Sequence, residues 1–236
     1  ILGVSATNRV IINGNGNRIE YDNTTSGQGT IEMNGTDYFT FNNLEVAGID
    51  QGNQGARCFW MYNSADFNVI KNCKLRTEYP FTSQGTAYIW MSNATGTSPF
   101  TYANAANNNL IDSCDMSSPG GSGDRGPYYG VVMIGSTSRS TGSNTTRNTI
   151  SNSNVQNFHF YGIWAYYNGG NTVVNNTIHN SGVTRTNTKY GIYMYYTDFI
   201  IENNHIKGTL FNYGIQESTI PEILVSYYNA KKELIY

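Results

Sequence analysis

The amino-acid sequence predicts an all-β chain, a right-handed parallel β-helix: a solenoid of about six coils with long loops inserted. Three observations predict it. Two short strand patterns alternate strictly along the chain. The turns between them are built from Gly and Asn. The polar residues are Asn, Thr, Ser and Gly rather than Lys and Glu, with only 13% of residues charged, about half the usual share.

The first pattern reads apolar-x-Asn-x-x-apolar. Its copies are Phe41–Val46, Ile70–Leu75, Ile111–Met116, Ile150–Val155, Val173–Ile178 and Ile201–Ile206. Two places ahead of each copy from the second to the fifth stands another Asn: Asn68, Asn109, Asn148 and Asn171. The second pattern is a short strand, often Tyr-Gly-apolar-x-apolar. Its copies are Arg57–Met61, Ala87–Met91, Tyr129–Met133, Tyr161–Ala165, Tyr190–Met194 and Tyr213–Glu217, and it recurs after 30, 42, 32, 29 and 23 residues. A constant frame with a variable period means that loops of different size enter the same coil. No unit carries the 3.6-residue apolar period that a helical or leucine-rich repeat needs.

One such coil cannot bury its apolar side chains, but a stack buries a continuous core. Parallel strands of neighbouring coils then lie about 4.8 Å apart. The Asn43, Asn72, Asn152, Asn175, Asn203 column is a candidate amide ladder of the kind that stacked chains form. Equally, Asn at a bend tolerates the left-handed conformation. Cys73 and Cys114 share one column and should stack inside, as thiols or as a disulfide. The chain has three cysteines, an odd number that spells neither a disulfide framework nor a metal motif.

The Asn-bend repeat, together with Ile12-Asn13-Gly14-Asn15-Gly16-Asn17-Arg18-Ile19, resembles the right-handed parallel β-helices of the pectate-lyase-like superfamily over residues 8 to 218. The resemblance implies the fold. It leaves open polysaccharide lyases and hydrolases, phage tailspikes and non-catalytic repeats of bacterial surface proteins. Members usually begin with a capping helix, which this sequence lacks, and this points to a piece of a longer secreted or cell-surface chain. Residues 1–218 are expected to form the solenoid. Residues 219–236 break the pattern and form either a C-terminal cap or the start of a following module.

Alternation along the Tyr-Gly strands places Phe59, Ile89, Val131, Ile163, Ile192 and Ile215 inside, with Met61, Met91, Met133, Ala165 and Met194 beside them. Between these columns, outward, run Trp60, Trp90, Val132, Trp164, Tyr193 and Gln216. The next outward column holds Tyr62, Ser92, Ile134, Tyr166, Tyr195 and Ser218. A row of aromatic rings at strand spacing suits a sugar chain, whose C–H faces pack on rings. Trp60, Tyr62, Trp90, Trp164, Tyr166, Tyr193 and Tyr195 are therefore the candidate carbohydrate contacts. The insertions 93–108 and 135–147 leave from this corner, and either wall a groove or fold over the rings as a second core.

Catalysis has less support. A hydrolase needs carboxylates on both sides of the scissile bond, and the outward column offers none until Glu217. A lyase of the resembled families would use a Lys or Arg base, often with Ca²⁺ held by clustered acids. The weak candidates are Asp124, Arg125, His159 and Lys189, none in a recognised catalytic motif. His159, His179 and His205 lack metal-ligand spacing, so no metal or other cofactor is expected unless the chain is a lyase. The formal charge of -2 and the absence of a basic stripe speak against nucleic acid. No apolar run is long enough to span a membrane. The sequence thus favours a carbohydrate-binding or adhesive segment whose partner is a polysaccharide or surface glycan. A polysaccharide-cleaving enzyme and a passive stalk remain alternatives.

Overall fold

A computed structural model describes residues 3–22, 28–49, 56–78, 85–92, 106–118, 126–135, 147–166, 169–179, 190–195 and 199–207, and the backbone alone of 213–218 and 224–226. The chain is a parallel β-helix. Coil 1 runs through strands Val10–Asn13, Arg18–Asp22 and Gln28–Asn34; coil 2 through Phe39–Asn42, Glu45–Ile49 and Ala56–Tyr62. Coil 3 contains Val69–Lys71, Lys74–Thr77 and Ala87–Met91, and coil 4 contains Leu110–Asp112, Asp115–Ser117 and Tyr129–Ile134. Coil 5 is Thr149–Ser151, Asn154–Gln156 and Tyr161–Tyr166; coil 6 is Asn171–Val174, Thr177–His179 and Tyr190–Tyr195. Coil 7 is Phe199–Glu202, His205–Lys207 and Tyr213–Ser218, and Leu224–Ser226 pairs beyond it.

The first, second and third strands of the coils stack into three parallel sheets of eight, seven and seven strands. The six repeat copies seen in the sequence are coils 2 to 7. The Ile12–Ile19 stretch is the first corner of a coil ahead of them, whose third strand lacks the Tyr-Gly signature. The first sheet also continues past residue 218 through Leu224–Ser226.

Each sheet contributes an inward column: Phe41, Ile70, Ile111, Ile150 and Val173 from the first; Val46, Leu75, Met116, Val155 and Ile178 from the second; Phe59, Ile89, Val131, Ile163 and Ile192 from the third. Burying each such side chain contributes about 1.5–3 kcal/mol. Coil 1 has a partner on one side only among the described residues. Its inward Ile12 and Ile19 are accordingly 37% and 43% exposed, against 5% and 0% for their partners Phe41 and Val46.

The Tyr-Gly dipeptide has a steric cause. A Cβ on Gly130 would lie 2.2 Å from the Gly162 carbonyl oxygen and 2.5 Å from Val155 Cγ1. The chain bends there, so strict alternation fails. Cys58 and Phe59, like Tyr88 and Ile89, both face the core. The residue before each pair stands on the outer side.

The amide ladders lie in columns other than the expected one. Asn43, Asn72, Asn152, Asn175 and Asn203 have φ between 50° and 57°, so this column is the left-handed bend. Within it Asn175 Nδ2 reaches Asn152 Oδ1 at 3.4 Å. A buried ladder runs instead through Asn68, Asn109, Asn148 and Asn171. There the side-chain oxygen of one Asn accepts the backbone N–H of the Asn one coil earlier, at 2.8–2.9 Å. A second ladder starts at Cys114. Its N–H donates to Ser153 Oγ, the Ser153 N–H to Asn176 Oδ1, and the Asn176 N–H to Asn204 Oδ1. Cys73 and Cys114 sit inside as free thiols, 1% and 2% exposed.

Candidate functional site

The candidate surface is the outer side of the third sheet. Register aligns three columns. The first is Gly29, Arg57, Ala87, Tyr129, Tyr161 and Tyr190; the second is Glu32, Trp60, Trp90, Val132, Trp164 and Tyr193; the third is Asn34, Tyr62, Ser92, Ile134, Tyr166 and Tyr195. Trp60, Trp90, Val132, Ile134 and Trp164, with Ala87 and Tyr129, form an apolar cluster separate from the helix core, so the outward direction read from the sequence for these columns is right.

Exposure at the tryptophans differs from the expectation. Trp60, Trp90 and Trp164 are 6%, 0% and 4% exposed. Arg57 explains part of this. Its guanidinium lies 4.6 Å from the centroid of Trp60 and 4.1 Å from that of Trp90, and its Nε donates to the Gly85 carbonyl at 3.1 Å. Burial pushes its pKa down to about 9, with Glu32 opposing, so it remains a cation at neutral pH. Two desolvated ring faces stabilise such a charge by about 2 kcal/mol each. Trp60 Nε1 donates to the Ser92 carbonyl at 2.9 Å. Tyr129 packs 6.1 Å from Trp90 and 4.9 Å from Trp164. In coils 2 to 4 the aromatic stripe is thus a second core, and its indoles offer no face to a ligand.

In coils 5 and 6 the tyrosines of these columns reach solvent, while Trp164 stays buried. Tyr161, Tyr166, Tyr190, Tyr193 and Tyr195 are all half-buried. Tyr166 stacks on Tyr195 at 4.9 Å and 8°, and Tyr161 on Tyr193 at 4.7 Å and 19°. Tyr190 meets Tyr193 edge to face at 5.2 Å. Rings stacked coil upon coil cover one another's faces and turn edges and hydroxyls outward. Tyr62 is likewise half-buried, stacked on Trp60 at 4.3 Å, with its hydroxyl 3.4 Å from Glu32 Oε2. Tyr161 and Tyr190 were missed as surface residues because alternation counted back from Ile163 and Ile192 sends them inward. The Gly after each was the signal that the strand bends.

The catalytic candidates are not brought together. His159 is fully buried; its N–H donates to the Pro127 carbonyl at 2.9 Å and its ring lies 6.5 Å from Tyr128. A polymer cannot reach it there. Asp124, Arg125 and Lys189 lie outside the described residues. Glu217 pairs in register with Met194, in the Met column and not the outward one, whereas Glu32 of coil 1 does occupy the outward column. Among the described residues no cluster of His, Cys, Asp and Glu could hold a metal ion, and no helix is long and apolar enough to cross a membrane. The chain matches no known family, no curated protein and no solved structure.

Proposed function

We propose that the chain is a non-catalytic, carbohydrate-binding segment of a secreted or cell-surface protein, and that it holds a glycan on the tyrosines of coils 5 and 6. The observation that carries this reading is the set Tyr161, Tyr166, Tyr190, Tyr193 and Tyr195, half-buried and reached by solvent in two adjacent coils. They rest on a packed bed that includes Trp164 and Val132. The bed fixes the rings before any ligand arrives, which lowers the ordering cost of binding. Ring edges and phenolic hydroxyls suit sugar hydroxyls and C–H groups together. The tryptophans serve as support and not as contacts.

A specific observation favours a second reading, a passive stalk: the rings satisfy one another by stacking. Affinity electrophoresis through neutral polysaccharides separates the two. Retardation of the native chain, reduced about tenfold in a Tyr166→Ala/Tyr195→Ala variant with unchanged melting temperature, supports glycan contact; that corresponds to about 0.7 kcal/mol per ring, within the range for aromatic contacts. Migration unaffected by every polymer supports the stalk. Shortening of the polymer in the gel would make the chain an enzyme and overturn both.

A further inference from the structure

The outer face of the second sheet changes character along the stack. In coils 1 to 4 it carries ion pairs. Arg18 meets Glu20, Glu45 and Glu78 at 2.9, 3.0 and 2.5 Å, and Arg76 meets Asp115 at 2.5 Å. Lys74 stands in register between Glu45 and Asp115. Coil 5 presents uncharged Asn154 and Gln156 on this face, coil 6 Thr177 and His179, and coil 7 His205 and Lys207. Past Asp115 the described residues of this face hold no carboxylate. Glu202 stands on the first sheet, across the Asn203–Asn204 bend.

His179 is half-buried, with Lys207 its partner in register and His205 two residues before Lys207. Burial, then Lys207, then His205 lower its pKa, as crowded like charges must. The group that would relieve this crowding is an anion. A bound anion favours imidazolium, so by linkage binding tightens as pH falls and the His179 pKa rises on binding.

We propose that the outer face of the second sheet in coils 6 and 7, at His179, His205 and Lys207, binds anionic groups, carboxylate or sulfate, carried on a polysaccharide, and does so in mildly acid solution. The choice of a polysaccharide rests on the reading of the tyrosine face; the choice of an anion rests on the positive charge of the cluster and on the lack of a carboxylate among the described residues of this face past Asp115.

The test is affinity electrophoresis in dextran, carboxymethyl-dextran and dextran sulfate, polymers that share one backbone, at about pH 5 and about pH 8, on either side of the histidine range. The two anionic polymers should retard the native chain about tenfold more strongly at the lower pH, as one extra charge-assisted contact at His179 implies. The whole chain becomes cationic below its isoelectric point near 5.9, so a variant with matched charge loss is needed. His179→Asn/His205→Asn should remove the acid-dependent increment, while Lys71→Gln/Lys74→Gln, which deletes two cations elsewhere, should keep most of it. Equal weakening in both variants, retardation independent of pH, or no retardation by either anionic polymer overturns the site. Equal retention by polyglutamate overturns the assignment to a polysaccharide. Tyr166→Ala/Tyr195→Ala should keep the acid-dependent increment, which distinguishes failure of the tyrosine reading from failure of this one.

Discussion

Replacing Asn148 by alanine should destabilise the stack far more than replacing Asn152, although the two residues are four apart and chemically identical. The Asn148 side chain is fully buried. Its Oδ1 accepts the Asn109 backbone N–H at 2.9 Å, and its Nδ2 donates to the Ala106 carbonyl at 3.0 Å. Alanine strands two buried backbone groups, each costing about 1–3 kcal/mol, so a loss of about 3–4 kcal/mol is expected. Asn152 is exposed, has φ 50°, and donates to Asp112 Oδ1 at 2.7 Å. Asn152→Ala therefore carries left-handed strain of about 1–2 kcal/mol and loses two exposed bonds, the second a long one from Asn175. Asn152→Gly removes the strain and should cost less than about 1 kcal/mol. Urea unfolding with equal slopes gives the differences. Because a solenoid can open locally, hydrogen exchange in coils 4 and 5 should show the same ranking. If Asn148→Ala costs no more than Asn152→Ala, the buried ladder is not what holds neighbouring coils in register.

Other outcomes follow from the same geometry. Trp90→Ala should cost about 3–5 kcal/mol in thermal or urea unfolding, as a fully buried large ring does, whereas Tyr195→Ala should stay within about 1 kcal/mol. Gly130→Ala should cost at least about 2–3 kcal/mol, because its Cβ would meet backbone that cannot yield; an unchanged melting temperature would show that the bend is softer than it looks. Burial pushes the Cys58 thiol up to about 12, and Cys73 and Cys114 are buried beside it in the core. A thiol reagent should therefore modify none of the three in the native chain and all three after unfolding. Hydrogen bonding from Ser151 first, then from Asn152 and Ser113, holds the Asp112 carboxyl below its ordinary pKa. A lowered folded pKa gives stability that is present above about pH 4 and lost as pH falls below it. Asp112→Asn should therefore be less stable at neutral pH and flatter in acid.

The fold was legible because coil stacking imposes a repeat that sequence records directly. Phe41, Ile70, Ile111 and Ile150 share a column, and each must be apolar for the same reason. The ladders were half legible. Asn68, Asn109, Asn148 and Asn171 stood out as a column, yet Asn at a left-handed bend and Asn in a buried ladder look alike in sequence. The two differ in backbone conformation and burial, which residue type does not record. The candidate surface was legible in direction but not in exposure. Alternation says that Trp60 and Trp90 leave the core, while their cover depends on Arg57 and Tyr129, which the bend at Gly130 and its counterparts swings to the outer side. Period-two counting cannot see that bend. The basic face of coils 6 and 7 went unread because His179 is far in sequence from His205 and Lys207 and meets them only through register.

The same bend supplies a final expectation about the tyrosines. Burial raises the pKa of Tyr88, Tyr129 and Tyr161 above the ordinary phenol value. A raised folded pKa means that the unfolded chain releases these protons first, so the stability they contribute is present below about pH 10 and lost as pH rises above it. Ultraviolet titration should then show two classes of phenol: one ionising while the chain stays folded, the other ionising only as the helix unfolds. Tyr88 must belong to the second class, since its hydroxyl donates to the Gln156 carbonyl at 2.8 Å and lies 2.9 Å from the Ser118 hydroxyl inside the coil. Saturating glycan should withdraw phenols from the first class and leave the buried Tyr88 and Tyr129 unchanged, because a ligand can shield only rings that water already reaches. Withdrawal from neither class would move the aromatic face from contact to packing and leave the stalk as the reading that fits.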